Sequence, residues 1–500
     1  MGQKIRKFIE IGMIIAMTCI VGILCFYHLG EAGTHNTDEA RHIANAYEMF
    51  KKSEIWIHTY KYETDYFNYK PPLSMWCIML CFRLFGISSF SMRLYSAVAW
   101  MLLYLIFTVF LWKKWGWSLA MIFSLAFVSG PDLFLFHGAR SADADALYLL
   151  LYTCAIICLY LAEEKPHYLI PFGFLASLCF LTKCLHVATL IVIFICYLPR
   201  LYKRIKLKHW LGGIAAGVIP TGIWAGVRFS FDGFAFFAGM LGREVVDRVE
   251  ESSNYLGYLF YLLKQPVCVI AIAAICVSCF FSVEFPKRKN VDIRKIGEAA
   301  GDREICRLCR KIVNGQGYLF FLWFLVPFVI YSLSGAFMEW YSYSCFLALY
   351  ALAAVEITKP GKGKKGRFSE FLFIGCFLIC ACIQVKESVN ILKYTNNTGF
   401  RADLERLIEQ NPEYRGSSIY LENNTQEYKP QNEWEQNRVA DAYITGDLQP
   451  LDGGVPLFLK DQDALLIISK NLFEGYYDVL AGRVILVDGE DYLIFSNKFY

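Results

Sequence analysis

Apolar runs of about twenty residues recur over the first 384 residues, and that repetition leaves little room for a soluble fold. A helix needs about 20 apolar residues to cross a hydrocarbon core. Candidate spans lie near residues 8–29, 93–112, 117–136, 144–162, 168–182, 184–200, 210–229, 257–282, 318–335, 341–358 and 368–384, about eleven in all. Charged residues make up 19% of the chain, against about 25% in an ordinary soluble domain. The aromatic share is 17%, which suits Trp and Tyr at two membrane interfaces. A net charge of +4 gives nucleic acid no electrostatic purchase on the chain as a whole. No small-residue cleavage site follows the first run, so it reads as an uncleaved anchor.

Lys and Arg set the orientation. With Lys4, Arg6 and Lys7 inside, alternate loops carry Lys113-Lys114, Glu163-Glu164-Lys165, the Lys203–Lys208 cluster, Lys287 through Lys311, and Lys359–Lys365. Nearly every dense basic run then shares one side, as the positive-inside rule requires. The opposite side receives a first loop of about residues 30–92, the Arg140–Asp145 turn, the 230–256 and 334–340 loops, and a tail from about residue 385. In that loop Ile43, Ala44, Tyr47 and Phe50 have helical spacing, with Thr37 or Asp38 able to cap the helix. Pro71-Pro72 opens a second helix, Leu73 to Phe85, best read as interfacial. The tail, with strand-like runs at Ser418–Leu421, Ala464–Ile468 and Arg483–Val487 and a helical Asp403–Gln410, reads as a small α/β domain. The domains expected are therefore 1–384 and 385–500. Most of the 18 cysteines lie in apolar runs, where Cys acts as a small hydrophobe. Cys306 and Cys309 form a lone CxxC, a weak metal or redox signal.

Several polar groups sit where an apolar chain has least use for them. Asp38-Glu39 follows the first span. Its plain reading is a helix start with acids at the positive end; its chemical reading is a general base at the membrane surface. Lys70, before two prolines, can present an ammonium to a phosphate just above the headgroups. Arg140, Asp143 and Asp145 stand where a helix re-enters the membrane, a depth at which ionisable groups pair or line a cavity. Lys183 lies between two apolar segments and suits an anionic lipid, while the nearby His186 reads as a packing residue. Arg243-Glu244, Asp247-Arg248 and Glu250-Glu251 have the spacing of an ion-paired surface helix, and Glu339–Tyr343 the look of an interface belt. A divalent cation stays open near His35, Asp38, Glu39 and His58, but their spacing matches no ligand pattern and no metal is assigned.

The order of these pieces resembles the C-type (GT-C) membrane glycosyltransferases. The stretches that carry it are Asp38-Glu39-Ala40-Arg41, Lys70-Pro71-Pro72-Leu73, Phe85-Gly86 leading to Arg93-Leu94, Arg140 to Leu147, and Phe180-Leu181-Thr182-Lys183. Within that class the chain is similar to the lipid A aminoarabinose transferases and the bacterial relatives of protein O-mannosyltransferases. The match is good over roughly residues 30–200 and looser over 230–350; nothing in the tail is matched. The resemblance implies a mainly α, polytopic protein of the bacterial cytoplasmic membrane, with its site and tail on the extracytoplasmic face. It implies a polyprenyl-phosphate sugar donor and a glycolipid, glycan or protein acceptor. Asp38 would be the essential carboxylate, Lys70 a phosphate ligand beneath it and Asp145, with Asp143 beside it, a second acid. Arg248 and Tyr341 would be looser matches to phosphate-holding residues. Phe337 and Ser344 depart from the family pattern, which often has Lys and Pro there. The chemistry expected is inverting displacement at an anomeric carbon, with Asp38 as base and Lys70, Arg248 and Lys183 as cations. Arg140 and Glu39 would support. The rival reading is a transporter or flippase for the lipid-linked sugar, which would often show inverted repeats; none is evident.

Overall fold

The computed structural model describes residues 2–34, 36–243, 254–282, 315–359, 364–395, 399–423 and 433–499. Arg248, Asp247, His35 and the Cys306/Cys309 pair lie outside the described residues. Among the described residues, seven helical stretches are long and apolar enough to cross a membrane: Lys4–Phe26, Ser89–Trp115, Asp145–Ala162, Pro166–Leu201, Leu207–Asp232, Glu339–Thr358 and Phe368–Lys393. The chain is a multi-pass membrane protein. In chain order its first elements are α1 (Gly2–Phe26), α2 (Thr37–Lys52), the strands β1 (Thr59–Tyr60) and β2 (Glu63–Thr64), α3 (Leu73–Phe85), α4 (Ser89–Trp115), α5 (Trp117–Val128) and α6 (Asp132–Leu135). Next come α7 (Asp145–Ala162), α8 (Leu169–Lys183), α9 (Ala188–Leu201), α10 (Leu207–Asp232) and α11 (Ala235–Leu241). The membrane part closes with α12 (Gly257–Lys264), α13 (Pro266–Ser282), α14 (Tyr318–Ser334), α15 (Tyr343–Thr358) and α16 (Lys364–Lys393).

Two segments differ from the spans expected. Residues 117–136 do not form one helix: α5 ends at Val128, where Gly130-Pro131 breaks it and Leu133 packs against Gly130. Residues 257–282 are bent by 92° between α12 and α13, because Pro266 lacks an amide donor and pushes Gln265 to an extended conformation. The stretch Pro166–Leu201 is not a single rod. Cys184 has φ +45°, a region unfavourable for a side-chain-bearing residue, and the chain turns back there. Tyr197 and Arg200 of α9 therefore return to Glu163 at the foot of α8, and Phe172 packs on Phe194. That reversal places Lys183 at the tip of the α8–α9 pair. α3, with only 13 residues, is too short at about 1.5 Å per residue to span the core.

Capping explains the entry to α2. Asn36, in an extended conformation, accepts from the Glu39 amide at 2.7 Å. Asn36 rather than Thr37 or Asp38 is the cap, which leaves the Asp38 side chain free for other partners. The tail forms a five-stranded sheet in the order β4-β3-β5-β7-β6, with β3 (Ser418–Glu422), β4 (Gln449–Leu451), β5 (Leu465–Ser469), β6 (Arg483–Asp488) and β7 (Tyr492–Phe499). β3 runs parallel to β4 and β5, and β7 is antiparallel to β5 and β6. Helices α17 (Phe400–Gln410), α18 (Glu433–Gly446), α19 (Gly454–Phe458) and α20 (Lys470–Leu480) cover it. This domain does not dangle. One buried cluster runs from Ile43, Ala44 and Tyr47 of α2 through Leu407 and Tyr443 to Ile467 and Ile494 of the sheet. First loop and tail therefore share one side of the bundle.

Candidate active site

The first-loop acids face different ways. Glu39 is buried and grips Arg93 with both oxygens, Oε1 to Nε at 2.7 Å and Oε2 to Nη2 at 2.9 Å. Oε1 also accepts from the Ala142 amide at 2.9 Å. Arg93 in turn donates to the carbonyls of Ala32 and Gly33, both at 2.7 Å. Glu39 thus ties α2, α4 and the 140s loop together. Asp38 instead pairs with Lys70, Nζ to Oδ1 at 3.1 Å, and its side chain remains 38% exposed. Burial works against ionisation of Asp38, but the Lys70 ammonium, helped by His137, holds its carboxyl well below the usual carboxylate range.

Around this pair lies a buried shell. His42 donates from Nδ1 to the Asp38 carbonyl at 2.8 Å; a carbonyl can only accept, so Nε2 keeps its lone pair. Burial, then the Lys70 charge, push His42 down to about 4, and it is neutral. Asp143 pairs with His137, Nδ1 to Oδ2 at 2.6 Å, and accepts from Ser141 Oγ at 2.9 Å and the Asp145 amide at 3.1 Å. Although burial opposes it, the Asp143 charge raises His137 above its ordinary value. Trp340 stacks on the His137 ring at 3.7 Å. Asp145, at the first turn of α7, pairs with Lys183, whose ammonium also lies 4.5 Å from the centre of the Tyr341 ring. His186 sits edge-on to that ring at 4.4 Å and bonds the Tyr331 hydroxyl at 3.1 Å.

Among the residues expected at the site, Asp38, Lys70, Asp143, Asp145, Lys183 and Tyr341 therefore converge. Arg140 does not join them: it is buried and donates to the carbonyls of Tyr27 at 2.7 Å and His28 at 2.9 Å, closing the C-terminal end of α1. Sequence reasoning singled out neither His137 nor His42. His137 is marked only by position, since its φ of +49° and its pairing with a residue six positions on appear once the loop is folded. For a cation, His137, Asp143 and Asp145 offer ligand atoms all within 4.8 Å of one another. Both carboxylates are already neutralised, by His137 and Lys183, so a divalent ion would have to displace those cations. Of the residues first considered for a metal, Glu39 is committed to Arg93 and His58 donates from Nε2 to the Asn68 carbonyl at 2.6 Å.

The comparisons with known proteins agree with this architecture. Residues 69–232 match the family model of dolichyl-phosphate-mannose-protein mannosyltransferase. The crystal structure of ArnT from Cupriavidus metallidurans bound to undecaprenyl phosphate superposes with a TM-score of 0.68 at 14% identity, covering 97% of this chain and 98% of that one. The apo form gives 0.66 at 13% identity, with the same coverage. The chain has an ArnT-like fold. The Archaeoglobus fulgidus oligosaccharyltransferase aligns more loosely, with a TM-score of 0.48 at 11% identity over 95% of this chain and 71% of that one. No curated protein sequence matches significantly. The ArnT-like fold extends through the tail, where sequence resemblance gave nothing, and the family match spans Lys70, Asp143, Asp145 and Lys183.

Proposed function

We propose that this protein transfers a glycosyl group from a polyprenyl-phosphate sugar to a glycolipid, glycan or protein acceptor at the extracytoplasmic face of a bacterial cytoplasmic membrane. The observation that carries the reading is the Asp38–Lys70 pair: a partly open carboxylate held beside an ammonium, backed by the buried Asp145–Lys183 pair. The ArnT structure of the same fold is bound to undecaprenyl phosphate, which supports a carrier of that class. The acceptor hydroxyl oxygen forms a bond to the anomeric carbon as the bond from that carbon to the phosphate oxygen breaks. The proton goes to Asp38, and the bonding pair leaves with the polyprenyl phosphate. Attack on the face opposite the leaving group inverts configuration.

Lys70 gives this scheme an order of events. While it pairs with Asp38, the carboxylate is a weak base. A phosphate in the site draws the ammonium toward itself, and the carboxylate regains basicity only once the donor is bound. Lys183 and Tyr341 border the same space and Arg248 is proposed as a further cation for the phosphate, supplying charge where the leaving group develops it. Asp145 holds Lys183 in place, Asp143 holds His137, and Glu39 and Arg140 fix the elements. No step requires a metal. The test uses a defined polyprenyl-phosphate sugar, with product stereochemistry read by NMR: inversion is expected, and retention would overturn the scheme. Asp38→Asn should abolish transfer while donor binding persists. A transporter would instead move the labelled donor across vesicles and leave it intact.

A further inference from the structure

A second feature lies at the far end of α8 from the site. Eleven residues separate Phe172 from Lys183 on α8, about 16 Å along a helix axis. There α8 and α10 almost touch: a Cβ on Gly173 would stand 2.0 Å from the Gly213 carbonyl oxygen. With the backbones this close, the large side chains on either side splay. Phe172 and Trp210 both lean on Phe194 of α9, at 5.2 and 5.7 Å. A cavity of about 120 Å³ remains, lined by Leu169, Phe172, Phe194, Trp210 and Ile214, with His209 at its rim. Its lining is almost wholly apolar, so water has too few partners to fill it. It opens beside the face of α10 on which Leu211, Ile214 and Val218 are exposed, a face that meets hydrocarbon in a membrane.

The rim is charged in one sense. Lys206 and Lys208 are exposed and have no carboxylate partner among the described residues, whereas Arg204 binds back to the Glu163 carbonyl. The Lys206 amide donates to His209 Nδ1 at 3.2 Å, which leaves Nε2 to carry a proton outward. A cationic rim over an apolar slot at the basic end of the bundle matches one membrane component in both parts.

We infer that this cavity is a binding site for an anionic phospholipid, its phosphate held by Lys206, Lys208 and His209 and the upper methylenes of one acyl chain seated between Phe172, Phe194 and Trp210. The full-length protein is tested in nanodiscs of phosphatidylglycerol mixed with phosphatidylcholine, and lipids retained after release are counted by native mass spectrometry. Wild type should retain phosphatidylglycerol at least tenfold over phosphatidylcholine. K206Q/K208Q should lose that preference, and I214W, which fills the mouth, should lose retention altogether. L211W, on the same lipid-facing surface, controls for the bulk of the indole, and a melting curve confirms that each variant is folded. Equal retention of the two lipids by wild type would overturn the site. So would wild-type retention by I214W, or displacement of phosphatidylglycerol by an equal excess of undecaprenyl phosphate.

Discussion

Replacing Glu39 by Gln should damage the fold, whereas replacing its neighbour Asp38 by Asn should damage only the chemistry. The side chains of Glu39 and Arg93 are 0% and 1% exposed, so the guanidinium depends on this carboxylate for its charge balance. Gln keeps the shape but removes the charge, and turns one acceptor into an amide that points donors at a donor. Breaking one side of a buried ion pair costs about 3–5 kcal/mol. That loss falls where α2, α4 and the 140s loop are joined, through the bonds to Ala142, Ala32 and Gly33. The Asp38–Lys70 pair is different, with Asp38 38% exposed. An ion pair open to solvent to that degree contributes about 0–1 kcal/mol, and Asn still accepts from Lys70. Fluorescence-detected gel filtration after stepped heating measures the first effect, and transfer per folded molecule the second. Glu39→Gln should lower the midpoint by several degrees and retain turnover in the fraction that stays folded. Asp38→Asn should melt like wild type and show no turnover. A wild-type midpoint for Glu39→Gln, or an equal loss of midpoint for Asp38→Asn, would refute the division of roles.

Three further outcomes are expected. Lys70→Met removes the cation that depresses Asp38, so the acid limb of kcat/KM should move to higher pH and the KM for donor should rise; an unmoved limb would separate Lys70 from the base. Asp441 is buried and raised by that burial to about 6, although it accepts from Thr34 at 2.7 Å. A raised carboxyl favours the folded state when protonated, so stability should fall as pH climbs from about 4 through 6. Asp441→Asn should gain on the order of 2–3 kcal/mol at pH 7, by about 1.4 kcal/mol per pKa unit, and nothing below pH 4; a pH-independent difference would exclude this origin. Finally, EDTA should leave turnover unchanged, because His137 and Lys183 already neutralise Asp143 and Asp145; inactivation reversed by added Mn²⁺ or Zn²⁺ would place a cation in that cluster.

How far the sequence could be read follows from which forces act locally. Apolar length announces a helix from within its own residues, so the spans on α1, α4, α7, α10 and α16 were legible. Where a span ended early, the cause was also local, Gly130-Pro131 after α5 and Pro266 before α13. The charged residues were harder, because a charge in this protein is explained by its partner, and the partners are distant in sequence. Arg140 and Lys183 look alike in a list of cations near the membrane surface. One closes a helix end 113 residues earlier, through Tyr27, and the other neutralises Asp145 38 residues earlier.

The same reasoning explains what was missed about α2. Its spacing of Ile43, Ala44, Tyr47 and Phe50 predicts one buried stripe and a solvated opposite face, yet every residue from Glu39 to Met49 is buried. Most of the polar face is covered because its groups find partners elsewhere. Arg41 lies on the Asp65 carboxylate with two bonds of 2.8 Å, Asn45 donates to the Thr59 carbonyl at 2.7 Å, and Glu48 accepts from the Tyr62 amide at 2.9 Å and the Tyr443 hydroxyl at 2.6 Å. The last of these comes from α18, and Tyr47 stacks on the same Tyr443 ring at 4.2 Å. Lys61, in a hairpin turn with positive φ at both Lys61 and Tyr62, is held by Glu435 and Asp452 of the tail. The helix that aims Asp38 is thus clamped by a domain nearly four hundred residues later. Buried polar groups stabilise a helix only where they are met, so the contacts of Tyr443, Glu435 and Asp452 with Glu48, Tyr47 and Lys61 help hold α2 in place.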